Sequence, residues 1–315
     1  MRAVVFDAPG GPDVLRVAEV DRPEPLPTEV LVRIHAAGVN PVDWKTRSGK
    51  GMAALLGEPP FPLGWDVGGV VEEVGMGVTR LAPGDSVYGM PWFPRPAGAY
   101  GEYVTAPSRH FARAPEGLDH VHAAALPLAV LTAWQALVDT ARIAADQRVL
   151  VHAAAGGVGH LAVQIAKARG AEVLGTARAE KHDFLRELGV DRPIDYTAGR
   201  WEEEAGEVDL VLDLIGTTEY GQRSLRCLRE GGLLIPVPSG ADPSVAEQAE
   251  REGKRATGIL VEPDGRALDD IAALVAEGGL RVEVSEVLPL AEAGRAHELG
   301  EQGRTRGKLV LDTTA

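Results

Sequence analysis

The hydrophobic pattern changes period once along this chain. In the first part, Val30, Val32 and Ile34 alternate with Leu31, Arg33 and His35, the period of two expected of a half-buried strand. Residues 67–74 and 100–106 read as further strands. Glycine and proline interrupt the segment at Pro9-Gly10-Gly11-Pro12, Pro59-Pro60, Gly68-Gly69 and Pro83-Gly84. Short strands between such breaks predict a compact, barrel-like β domain over residues 1–120.

From Asp119, a plausible N-cap, the apolar residues fall at helical spacing over 119–139. Strands are then predicted at 149–152, 172–176, 194–196, 209–214, 233–237 and 257–261. Helices at 160–169, 180–188, 218–229 and 244–253 lie between most of them. Strands alternating with helices predict a doubly wound parallel sheet, and six strands make a full dinucleotide-binding (Rossmann) sheet over residues 121–263. A tail from 264 to 315 carries helices at 267–277 and 291–298 and strands at 281–287 and 308–311. No internal repeat or low-complexity segment stands out.

The strongest motif lies where the first of these strands ends. Val149-Leu150-Val151-His152 runs into Ala153-Ala154-Ala155-Gly156-Gly157-Val158-Gly159-His160, then into an apolar helix. This is the strand–turn–helix context of the dinucleotide fingerprint, with Ala154 in place of its first glycine. Ala155, Gly156, Gly157 and Val158 are expected to meet a pyrophosphate, with Gly156 allowing close backbone approach and Gly159 close helix–strand packing. The second strand runs from Thr176 into Ala177-Arg178-Ala179-Glu180-Lys181, with Arg178 rather than an acid at its end; Glu180 is a nearby acid whose side chain, on a helix, can point away toward the N-terminal dipole. Arg178 and Lys181 sit where an adenosine 2′-phosphate would lie, so NADPH is the expected cofactor. Tyr196 would close over the adenosine. Solvated residues at a helix start are the alternative for Arg178 and Lys181.

Composition narrows the classes. Hydrophobic residues make up 45% and charged residues 25% of 315 residues, an ordinary globular balance. The net charge of −14 argues against a nucleic-acid partner. The single cysteine, Cys227, rules out an intrachain disulfide framework and argues against a thiolate zinc site. No apolar run approaches the length of a membrane helix, and an early acid, Asp7, argues against a secretion signal. A cytoplasmic protein is expected.

Several stretches together resemble the medium-chain dehydrogenase/reductase superfamily, in its zinc-free quinone oxidoreductase (zeta-crystallin-like) branch. They are Ala37-Gly38-Val39-Asn40-Pro41-Val42-Asp43-Trp44-Lys45, Gly64-Trp65-Asp66-Val67-Gly68-Gly69, Pro83-Gly84-Asp85-Ser86-Val87-Tyr88-Gly89, Leu131-Thr132-Ala133-Trp134, the glycine-rich turn, and Arg306-Gly307-Lys308-Leu309-Val310-Leu311. The resemblance covers essentially the whole chain. It implies a GroES-like β-barrel domain, completed by the tail, plus a Rossmann domain, with the active site between them. Zinc-dependent relatives carry Cys at the position of Asn40, a His-Glu pair at Trp65-Asp66 and four clustered cysteines, none of which is present. Asp66 and His35 are isolated potential ligands, so no metal is expected.

Without a Lewis acid, alcohol oxidation is a poor assignment. Conjugated acceptors, a quinone or an α,β-unsaturated carbonyl, take hydride and spread the charge onto oxygen. By resemblance Asn40 would lie beside the nicotinamide and Thr132 near it or the acceptor. Lys45, where some relatives carry tyrosine, is a candidate proton donor, with phosphate binding or solvent exposure as alternatives. Trp44 and Trp65 would wall an apolar pocket or serve as core aromatics. Trp92 and Phe93 are expected as an exposed pair in a mobile, proline-rich entrance loop. Leu214 and Ile215 would pass the nicotinamide ribose; Pro238, Ser239, Leu260 and Val261 would end strands on the ligand edge. Lys308 would reach a phosphate or lie in a solvated tail. The leading expectation is an NADPH-dependent quinone or enone reductase. A tailoring enoyl reductase and an NADPH-binding regulatory or structural protein with little turnover are the alternatives. A homodimer joined at Rossmann sheet edges is expected from the resemblance.

Overall fold

The computed structural model describes residues 1–237 and 242–315. Two compact units form: Met1–Leu131 with Glu262–Ala315, and Thr132–Val261.

In the first unit the strand Glu29–Val39 is the hub. It pairs antiparallel with Val67–Val74, Tyr103–Pro107 and Lys308–Asp312, and Val284–Pro289 lies parallel to the last of these. Ser86–Gly89 and Phe111–Arg113 complete the seven-stranded sheet, and Arg2–Phe6 centres a second sheet of three. Val30, Val32 and Ile34 face one buried cluster with Val67, Val71 and Val104, as their alternation predicts. The glycines beside the hub serve close packing. A Cβ on Gly38 would lie 2.4 Å from the Ala124 carbonyl oxygen, and one on Gly68 2.4 Å from that of His120. The short helix His120–Ala124 therefore belongs to this unit.

The helical stretch expected over 119–139 is not one helix. Asp119 caps it, accepting the His122 N–H at 2.8 Å, but Pro127 has no N–H to continue the first turn. The chain restarts as Pro127–Trp134 and widens into a π-helical segment, Gln135–Thr140.

The second unit is a six-stranded parallel sheet in the order Arg192–Asp195, Glu172–Ala177, Arg148–Val151, Val208–Asp213, Leu228–Pro236, Arg255–Ala256. In chain order this is 3-2-1-4-5-6, the Rossmann arrangement, and its direction reverses between Arg148–Val151 and Val208–Asp213. Two strand expectations need correction. The sixth strand is Arg255–Ala256, not 257–261: one further bond, Thr257 N–H to the Leu234 carbonyl at 3.0 Å, ends the pairing, and Leu260 beyond it is 60% exposed. The fifth begins five residues earlier than expected, at Leu228, through a register shift against Val208–Asp213.

Candidate functional site

In the Thr132–Val261 unit, the strand Arg148–Val151 delivers His152 and a turn to the helix Gly159–Ala168. Ala153 takes a left-handed conformation, φ +47°. Its carbonyl accepts the Gly156 N–H at 2.9 Å, which folds the turn back on itself. Gly156 then receives the His160 N–H and the His160 ring at its own carbonyl. The N–H groups of Ala155, Gly157 and Val158 make no hydrogen bond among the described residues, so a row of donors stands at a helix start on the carboxyl edge of a parallel sheet. A Cβ on Gly156 would approach only the Ala153 carbonyl, at 3.2 Å. One on Gly159 would sit 2.3 Å from that oxygen and 2.7 Å from Ala154 Cα. A Cβ on Gly156 thus meets little besides that oxygen, whereas Gly159 is pressed against the turn's backbone. This geometry fits a dinucleotide pyrophosphate.

The neighbouring strand Glu172–Ala177 ends at Arg178, whose Nε donates to the Tyr196 hydroxyl at 3.2 Å. Tyr196 holds this exposed guanidinium at the sheet edge and raises its proton affinity. Lys181 lies half-buried at the end of the following turn. Thr176, expected as a cofactor contact, is buried and holds the turn from beneath. At the end of the fourth strand Asp213 accepts the N–H groups of Ile215 and Gly216 at 2.8 and 3.1 Å, which fixes the Leu214–Gly216 bend and leaves Ile215 38% exposed. Burial pushes the Asp213 carboxyl up. Val261 is buried. Pro238 and Ser239 lie outside the described residues.

The first unit contains a buried polar junction. Asn40 caps the helix Pro41–Arg47, and both ends of its side-chain amide are engaged: Nδ2 donates to Asp66 at 2.8 Å, and Oδ1 accepts from the Lys308 ammonium. Lys308 also lies 3.4 Å from Asp66, whose other oxygen accepts the Leu128 N–H at 2.7 Å. Burial pushes the Asp66 carboxyl up, opposed by Lys308, the Asn40 amide and the Leu128 N–H. On the helix side, Asp43 accepts the Asn40 N–H at 2.7 Å and the Tyr100 hydroxyl at 2.9 Å. Full burial pushes Asp43 up to about 7. Tyr100 meets His297 at 3.2 Å, and Arg47 reaches both His297 and Glu301. Burial, then the Arg47 charge, pulls His297 down to about 3.

Comparison with known proteins identifies this arrangement. Residues 26–116 match the Alcohol dehydrogenase GroES-like domain family and residues 188–311 the Zinc-binding dehydrogenase family. The quinone oxidoreductase structure from Coxiella burnetii is 40% identical, with a TM-score of 0.94 over 99% of each chain. The 2-haloacrylate reductase of Burkholderia sp is 35% identical over 98% of each chain. The chain belongs to the quinone oxidoreductase branch of the medium-chain dehydrogenase/reductase superfamily. The Escherichia coli quinone oxidoreductase complexed with NADPH is 30% identical, with a TM-score of 0.85 over 99% of this chain and 100% of that one.

In this member of the quinone oxidoreductase branch, several residues stand differently from expectation. Lys308 neither reaches a phosphate nor lies in a solvated tail; it is 3% exposed because Asn40 and Asp66 receive its charge inside the β unit. Trp92 and Phe93 are not an exposed pair on a free loop. Phe93 is 6% exposed and packs edge-on to Trp65 at 5.4 Å, while Trp92 is half-buried with its indole N–H on the Thr105 carbonyl at 2.7 Å. The Trp92 backbone N–H donates to His110, and Trp65 donates to the Arg95 carbonyl, so the segment is tied at both ends. Trp44 packs against His297 and Gly300, with the core aromatics. Thr132 is buried. Lys45 is half-buried, and its ammonium has no partner among the described residues. Among those residues no three His, Cys, Asp or Glu side chains converge on a metal position, and His35 faces His120 at 4.4 Å. No helix among them is long and apolar enough to cross a membrane. Tyr100, His297 and Arg47 escaped sequence reading because their partners lie far away in sequence; the one local signal was Asp43 three residues after Asn40, an N-terminal helix motif.

Proposed function

We propose that this chain transfers hydride from NADPH to a quinone or an α,β-unsaturated carbonyl. The observation that carries the reading is the donor row at Ala155, Gly157 and Val158, beside a glycine where a side chain would intrude. These residues would hold the pyrophosphate and Arg178, braced by Tyr196, the 2′-phosphate, with Lys181 adding charge. Leu214 and Ile215 would line the ribose. When bound, the nicotinamide supplies the hydride. Lys45 is the candidate proton donor, and Asn40 and Thr132, both buried, act by positioning. The NADPH named with the Escherichia coli structure and the unsaturated acid named with the Burkholderia reductase support the same assignment.

The reaction in this reading needs no metal, since Asp66 already carries an ammonium partner and the acceptor itself spreads the developing charge. Full turnover after exhaustive chelation is expected. The decisive experiment is NADPH consumption across quinones, enals and enones. Tight NADPH binding with no turnover on any of them would transfer the chain to the regulatory alternative. We further propose a cytosolic homodimer; the short edge strand Arg255–Ala256 and exposed Leu260 next to it support the dimer. Light scattering should give twice the chain mass, reduced by Leu260→Asp.

A further inference from the structure

Beneath the phosphate turn lies a buried group that the proposed chemistry leaves idle. His152 is fully buried, directly before left-handed Ala153. Its Nδ1 lies 3.1 Å from Thr176 Oγ1 and its Nε2 3.1 Å from Ser224 Oγ. The Trp201 ring stands edge-on at 4.4 Å and Tyr220 at 5.3 Å, so the imidazole cannot turn away. Thr176 Oγ1 also accepts the Ala153 N–H, at 3.3 Å, while its backbone carbonyl accepts the Ala154 N–H at 3.0 Å.

A hydroxyl has one proton to give. With Thr176 Oγ1 accepting from Ala153, its own proton is available to His152 Nδ1, and Nε2–H then donates to Ser224. The imidazole thereby fixes the rotation of the Thr176 hydroxyl and turns its lone pairs toward Ala153. Ala153 needs that hold. A left-handed alanine is disfavoured by roughly 1–2 kcal/mol, about tenfold in population, a penalty that glycine escapes. The Ala153 carbonyl in turn closes the turn onto Gly156, so its conformation decides where the Gly157 and Val158 N–H groups point.

We propose that His152, acting through Thr176, is a positioning residue for the dinucleotide phosphates: it holds Ala153 left-handed and so aims the donor row of the turn. The inference rests on the cofactor reading above. Its signature is a dependence on the residue at 153. Thr176→Val, nearly isosteric, deletes the oxygen that holds Ala153. It should weaken NADPH binding about tenfold in the native background, and much less when combined with Ala153→Gly, since glycine takes the conformation unaided. Thr176→Ser should retain most of the affinity. His152→Phe gives a second route to the same loss should Thr176→Val fail to fold.

The test is titration of NADPH, and of adenosine 2′-monophosphate as a probe with no phosphate for the turn, against the single and double variants of the full chain. NADPH affinity should fall while adenosine 2′-monophosphate affinity holds, and Ala153→Gly should shrink the loss. Equal loss for both ligands, or a loss the same size with Ala153→Gly present, overturns the inference and leaves His152 as packing alone. A wild-type chain that binds no NADPH is a different result, because it removes the cofactor reading itself.

Discussion

The ammonium of Lys308 donates to the side-chain oxygen of Asn40 across 268 residues of sequence, inside a region closed to water. This bond and the one from Asn40 to Asp66 join the tail, the helix cap and the strand entry at one point. A buried carboxylate deprived of its cation is expensive, about 3–5 kcal/mol. Lys308→Met should therefore lower stability by that order, read from urea melts. Adding Asp66→Asn should recover most of it, since the uncompensated charge is gone. A Lys308→Met loss that persists undiminished in the Asp66→Asn background would mean that packing, not charge, governs the junction.

Asp43 should impose a pH dependence with a definite sign. Its carboxyl titrates near 7 when folded, against an ordinary value of 3.8, so the folded state holds the proton more tightly. The Asp43 contribution to stability is thus best below about pH 4 and declines as pH rises to 7, by up to roughly 1.4 kcal/mol per pH unit. Buried His297 and His152, pulled down to about 3, act oppositely: the unfolded chain takes up their protons first, so they favour folding as pH rises toward 6.5. The clean observable is the difference between wild type and Asp43→Asn. That difference should favour the variant progressively from pH 4 to 7 and then level off. A pH-independent difference would place the titration elsewhere.

The two turn glycines should fail in different ways. The Cβ of Gly156→Val would approach only the Ala153 carbonyl, so the protein should fold and lose NADPH binding. At Gly159 even a methyl would strike backbone, so Gly159→Ala should cost roughly 1–3 kcal/mol of stability. Melts and titrations on both variants separate the roles; normal NADPH binding by Gly156→Val would remove the pyrophosphate assignment.

Cofactor choice should depend on Arg178 and its brace. Replacing Arg178 and Lys181 with alanine should weaken NADPH at least about tenfold with little change for NADH. Tyr196→Phe, which frees the guanidinium, should show a smaller loss in the same direction. Parallel losses for the two cofactors would show that neither cation reads the 2′-phosphate.

What could be read from the sequence was local. The alternation around Val30–Ile34 and the strand–turn–helix at His152–Gly159 each express themselves within a dozen residues, and the parallel six-stranded sheet followed from strand–helix alternation. What escaped depended on distant partners. Lys308 looks like a solvent-facing tail residue until the strand Lys308–Asp312 is laid against Val39. Trp92 and Phe93 look exposed because prolines flank them, yet His110, Thr105 and Trp65 tie them down. Pro127 was a local signal within a strongly apolar stretch, and it divides that stretch as proline chemistry requires.

The pairing of Lys308–Asp312 with Ala36–Val39 also sets a timetable for synthesis. Residues 132–261 form a contiguous unit and can close while the ribosome is still working. The β unit begins earlier but lacks a central neighbour of its hub strand, and the cation of its buried junction, until residue 308 and beyond have emerged. Its nascent strand edge at Ala36–Val39 therefore waits unpaired through the making of an entire domain, a window in which a chaperone has something specific to cover.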